Sequence, residues 1–65
     1  MNCIQTLNKS QRELKKYNIK NAELDCEILL SQVLNITREK LLINLDKKLG
    51  ENELRFFFKY VERRK

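Results

Sequence analysis

The sequence predicts an all-α fold, a small bundle of four helices at about residues 2–16, 22–34, 38–44 and 51–64. Three observations lead there. Apolar residues recur at three- and four-residue spacing in each segment. Capping signals stand at the ends of the segments. The chain has no Pro and one Gly, so it lacks the usual materials of hairpins and many-turned sheets.

The first helix opens at Asn2, whose capping-box partner is Gln5. Ile4, Leu7, Gln11 and Leu14 keep the spacing of one face. Lys15 and Lys16 suit the negative end of the helix dipole, and Asn18 can take the left-handed conformation that ends a helix. The second helix starts after Asn21, expected to accept from the freed backbone amides, with Glu23 and Asp25 in its first turn. Leu24, Cys26, Ile28, Leu29, Leu30, Val33 and Leu34 wrap most of the way round it, which predicts a central helix. Asn35 is its expected left-handed cap. Thr37 opens the third helix, with Ile36 and Leu41 at staple spacing and Leu41, Leu42 and Leu45 supplying contacts. The stretch Asn44 to Gly50 reads as an exit loop. In the fourth helix Gly50 precedes Glu53 at the capping-box position, and Leu49 with Leu54 repeats the staple. Leu54, Phe57, Phe58 and Val61 form its core face, with Phe56 and Tyr60 on a flank.

Composition restricts the chemistry. A chain of 65 residues is one small domain, burying about 60% of the surface its unfolded form exposes. It has no His and no Trp, and neither Ser10 nor Ser31 sits beside a plausible base. The two cysteines, Cys3 and Cys26, form no C-x-x-C pair and have no histidine to complete a zinc site. They are expected to be reduced thiols in a cytoplasmic protein, with Cys26 in the core. No apolar run approaches the ~18 residues of a membrane span, and the start is not a signal peptide. No catalytic, cofactor-binding or metal-binding residue is expected in this chain.

The net charge is +5, and its distribution matters more than its sum. Residues 1–20 hold Lys9, Arg12, Lys15, Lys16 and Lys20 against Glu13 alone. The middle is net acidic, and the end is basic at Arg63-Arg64-Lys65. Such ends suit nucleic acid or an acidic protein surface, against the plain alternative of solvated helix faces. A helix-turn-helix module would need a recognition helix rich in Arg, Asn, Gln and Ser. The central helix here is acidic and apolar, so nucleic acid is not the expected partner. A small basic nucleic-acid-binding module is the runner-up. An adaptor for an acidic helix is a further option.

The run Asn21-Ala22-Glu23-Leu24-Asp25-Cys26-Glu27-Ile28-Leu29-Leu30, then Thr37-Arg38-Glu39, Leu49 and the closing Arg63-Arg64, resembles the N-terminal helical domain of the HemK/PrmC family in order and spacing over about residues 19–65. Four positions depart from the family pattern. Ala22 stands for the usual Pro, Cys26 for Ala, Asn35 for Gly, and Gly50 for the Ser or Thr cap. All are changes in capping or packing. These enzymes are protein-(glutamine) methyltransferases that modify class 1 translation release factors.

The resemblance implies that residues 1–65 are the N-terminal substrate-recognition domain. S-adenosylmethionine and the methyl transfer then belong to a Rossmann-like C-terminal catalytic domain absent from this chain. The expected partners are the class 1 release factor and the enzyme's own catalytic domain, with no membrane. The candidate contacts are Lys9, Arg12, Lys15, Lys16, Arg63 and Arg64, with Phe56 and Tyr60 as an apolar patch that packs on the catalytic domain. In some bacteria with reduced genomes, relatives are fused to a tRNA guanine methyltransferase. Such a bifunctional parent is an alternative.

Overall fold

A computed structural model describes residues 1–65. It holds four helices, α1 (Cys3–Lys16), α2 (Ala22–Leu34), α3 (Arg38–Leu42) and α4 (Glu51–Arg64), and no strand. No helix is long and apolar enough to cross a membrane.

The start of α1 leaves no amide unspent. Asn2 Oδ1 accepts from the Gln5 amide at 2.9 Å and Gln5 Oε1 from the Asn2 amide at 3.1 Å, the expected capping box. The next two amides, Cys3 and Ile4, donate to the carbonyls of Lys47 and Leu45, both at 2.9 Å, and Leu49 donates to Met1 at 3.0 Å. The loop after α3 is thereby stitched to the start of α1, with one isolated antiparallel bridge between Asn2 and Lys48. These bonds satisfy donors that a helix start cannot satisfy internally.

The buried stripe of α1 is Cys3, Leu7, Ser10 and Leu14, with Thr6 beside it. It corrects the expected face: Ile4 is exposed and Gln11 half-buried, because the stripe starts one residue earlier, at Cys3. Small residues fill the α1–α2 contact. Ser10 lies against Cys26, and Ala22 is buried nearby on α2. The Thr6 and Ser10 hydroxyls donate back to their own helix, to Asn2 O at 2.8 Å and Leu7 O at 3.0 Å, so burial costs them no partner.

Helices α1 and α2 end by one device. Asn18 (φ 60°) and Asn35 (φ 56°) are left-handed. The amides of Asn18 and Ile19 donate to Lys15 and Leu14, and those of Asn35 and Ile36 to Gln32 and Ser31. Each is a Schellman turn with a following Ile half-buried against the core. The start of α2 differs from expectation. Asn21 makes no side-chain capping bond, because its backbone (φ −105°, ψ 44°) is not extended as an N-cap requires.

As expected, α2 is central, packing on all three other helices. Cys26 and Leu30 are fully buried, but Leu24 and Ile28 are exposed. Thr37 caps α3 by accepting from the Lys40 amide at 3.2 Å. This helix ends at Leu42, two residues short of the expected 44. There the Asn44 side chain donates to Lys40 O at 2.8 Å, and the chain turns so that Leu45 and Lys47 can reach α1. Consequently Leu42 is exposed, Leu45 is only half-buried, and Leu41 alone is buried in α3. Helix α4 has its expected bounds. Glu53 Oε1 accepts from the Gly50 amide at 2.8 Å, and Phe57 and Val61 are buried with Leu54 and Phe58 packed against them.

Candidate functional site

The side chains offer no catalytic arrangement. The Ser10 and Ser31 hydroxyls are bound to backbone carbonyls, and no three potential ligands stand together as a metal group. Both thiols are free and buried. Burial pushes the pKa of Cys3 and Cys26 upward, Ser10 pulling Cys26 partly back, so both stay protonated at neutral pH.

Much of the surface charge is already used. Arg64 donates through Nε and Nη2 to Asp25 Oδ2 at 3.1 and 2.9 Å, tying the end of α4 to the start of α2. Arg38 Nε reaches Glu27 Oε1 at 2.7 Å, tying α3 to α2. Lys65, only 13% exposed in its side chain, bonds Glu62 at 2.7 Å and Glu13 at 3.4 Å and lies 5.1 Å from the Tyr17 ring. These bonds raise the Lys65 pKa, Glu62 contributing most. The Lys65 hydrogen bond and the charge of Lys16 lower that of Glu13.

Two concavities remain. One, of about 380 Å³ at the start of α2, is lined by Lys15, Lys20, Glu23, Glu27 and Arg38. Most of its charge is neutralised by Lys15–Glu23 at 3.1 Å and the Arg38–Glu27 pair. The other, about 290 Å³ between α2 and α4, is lined by Gln32, Val33, Phe56 and Tyr60. Phe56 is 53% and Tyr60 39% exposed, so both rings stand outside the core, as the sequence suggested.

The candidate contacts fall in separate places. Lys15 is paired with Glu23 of α2 and Lys16 with Glu13 of its own helix, and Lys9 sits 5.4 Å from the Phe58 ring between α1 and α4. Arg12 is exposed with no ion-pair partner. Arg64 is engaged by Asp25. Only Phe56, Tyr60 and Arg63 come together: the Arg63 guanidinium lies 5.8 Å from the Tyr60 ring. Sequence reading missed Val33 and Gln32, the α2 wall of this groove, and Arg55 and Lys59. Those two are exposed on α4 and, like Arg63, have no carboxylate partner. The one available signal was their spacing: 55, 59 and 63 form a row at four-residue intervals beside the row of 56 and 60.

Comparison with known proteins adds to this geometry. A sequence model described as the PrmC N-terminal domain matches residues 5–65. A protein of Rickettsia felis named bifunctional methyltransferase is 45% identical over 92% of this chain, which covers 11% of that protein. One of the same name from Rickettsia typhi is 43% identical over 92% of the chain and 12% of its own length. A release factor glutamine methyltransferase of Leptospira interrogans is 49% identical over 72% of the chain and 16% of its own length. The chain thus spans a small fraction of these relatives. No solved structure matches it significantly.

Proposed function

Because this chain belongs to the PrmC N-terminal domain family, we propose that it is the substrate-docking domain of an S-adenosylmethionine-dependent methyltransferase. The parent enzyme, cytoplasmic on this reading, would methylate the glutamine of class 1 peptide chain release factors. The observation that carries the reading is the match over residues 5–65, joined to the 49% identity with a release factor glutamine methyltransferase. The residues present do not fit the cofactor. The single glycine is a helix cap at φ −74° rather than part of a strand-to-helix turn, and the larger recess is lined by the Lys15–Glu23 and Arg38–Glu27 ion pairs with Lys20, with no glycine-rich loop to cradle the cofactor. Methyl transfer is assigned to a separate catalytic domain of the parent.

The physical logic is one of positioning. A glutamine amide nitrogen is a poor nucleophile, so transfer depends on holding it in line with the methyl group. Contacts far from the reacting atom supply binding energy for that alignment. A small bundle in which Asp25 and Glu27 of α2 hold α4 and α3 in place suits such contacts. A second reading is favoured by the two relatives named bifunctional methyltransferase. On it the parent carries a further methyltransferase domain, of the tRNA guanine class.

The test compares the full-length enzyme with one lacking residues 1–65. Docking predicts a KM for intact release factor raised by about tenfold or more, with S-adenosylmethionine binding retained. Unchanged kinetics on the release factor would refute it.

A further inference from the structure

We propose that the α2–α4 groove is the docking site for an acidic amphipathic helix of a partner protein. That helix would insert a large apolar side chain against Val33, Phe56 and Tyr60 and set carboxylates against Arg55, Lys59 and Arg63. The inference deepens the docking role above and rests on it for the existence of a partner protein. The chemistry of the occupant follows from the groove.

Charge is the main argument. Asp25 is engaged by Arg64, Glu62 by Lys65 and Glu53 by the Gly50 amide, and Glu51, one turn before Arg55 at the start of the same row, forms no ion pair with it. Arg55, Lys59 and Arg63 are left without counter-ions along one row of α4. Turns of a helix lie about 5.4 Å apart, so a helix laid along the groove with acids at four-residue spacing meets that row in register. The apolar half matches. Two part-exposed rings and Val33 enclose about 290 Å³, room for one large side chain, and Ile28 extends the apolar surface one turn beyond Gln32.

The same observations disfavour other occupants. A second copy would bring the same cation row against this one. A permanent apolar cover would bury cations with no partner, at a large cost in desolvation. Of the two rings on which a nucleic-acid base could stack, Tyr60 already has Arg63 over it, which leaves Phe56 alone for that occupant.

The test uses a fluorescent, helix-stapled peptide with Glu at every fourth position and Leu and Phe on the adjacent face, titrated into the 65-residue chain by anisotropy. The Lys-for-Glu peptide and a single-stranded oligonucleotide serve as competitors. The Glu peptide should bind, weaken with salt, and weaken about tenfold with Phe56→Ala and at least as much with Lys59→Glu/Arg63→Glu. Circular dichroism should show the variants folded, and the charge-reversed variant should gain affinity for the Lys peptide. Equal binding of both peptides, no binding, indifference to Phe56→Ala, or stronger competition by the oligonucleotide would each overturn the proposal. So would loss of peptide binding in the full-length enzyme, since its own second domain would then cover the groove. If peptide binding fails while deletion of residues 1–65 still raises the KM for release factor, the groove is refuted and the docking role stands.

Discussion

Arg64 and Asp25, 39 residues apart in sequence, meet through two hydrogen bonds to a single carboxylate oxygen. Two residues further along α2, Glu27 holds Arg38. Asp25 and Glu27 flank the buried Cys26, so one short run of α2 seats its thiol in the core while its acids clamp α4 and α3 on either side. These residues carry much of the family resemblance, and their geometry explains them as structural clamps.

Asp25→Ala should therefore destabilise the bundle by about 1 kcal/mol, combining a partly exposed ion pair with a favourable helix-dipole position. A double-mutant cycle with Arg64→Ala, read by urea denaturation, should give a coupling of about 0.5–1 kcal/mol that shrinks in high salt.

The left-handed caps respond to substitution in opposite directions. Asn35→Gly should be neutral or stabilise by about 0.5 kcal/mol, since glycine adopts φ near 56° without steric cost. Asn35→Val should cost about 1–2 kcal/mol. Thermal melts of the two variants check this.

At Gly50 the backbone is an ordinary extended N-cap, and an added Cβ would meet only Glu53 Oε1 at 3.5 Å. Gly50→Ser should complete the capping box and reduce unfolded-state freedom, gaining about 0.5–1 kcal/mol in urea denaturation.

The network at Lys65 sets a pH dependence. The Glu13 carboxyl is held below its ordinary 4.5, so its contribution is present above that value and fades as pH falls through the lowered pKa. The Lys65 ammonium is held above its ordinary 10.5, so its contribution is present below that value and fades as pH rises through the raised one. The stability difference between the native chain and Lys65→Ala should be flat between those limits and shrink outside both.

Both thiols should be silent towards a disulfide-exchange reagent at neutral pH in the folded chain and react fully in denaturant, because both are sealed in the core, and the same burial further disfavours the reactive thiolate.

Local signals made most of this fold legible. Asn2 with Gln5, Thr37, Asn18, Asn35 and the bounds of α4 are written in short-range chemistry, and the structure shows each in place. What escaped depends on register between distant segments. Ile4 could not be excluded from the core without knowing that α1 starts against the loop at Leu45–Lys47. The early end of α3 has the same origin. Arg64 reads as a free cation until α4 is laid antiparallel to α2 and its guanidinium meets Asp25. The groove was half legible: Phe56 and Tyr60 stood off the core face, but their α2 wall, Val33 and Gln32, required the packing of two helices.

The docking claim is tested most directly by titrating the isotope-labelled 65-residue chain with an unlabelled class 1 release factor and following its amide resonances. The account predicts saturable shifts confined to one contiguous face, centred on the groove and the outer row of α4. Resonances that stay unmoved with release factor at about 1 mM would contradict it.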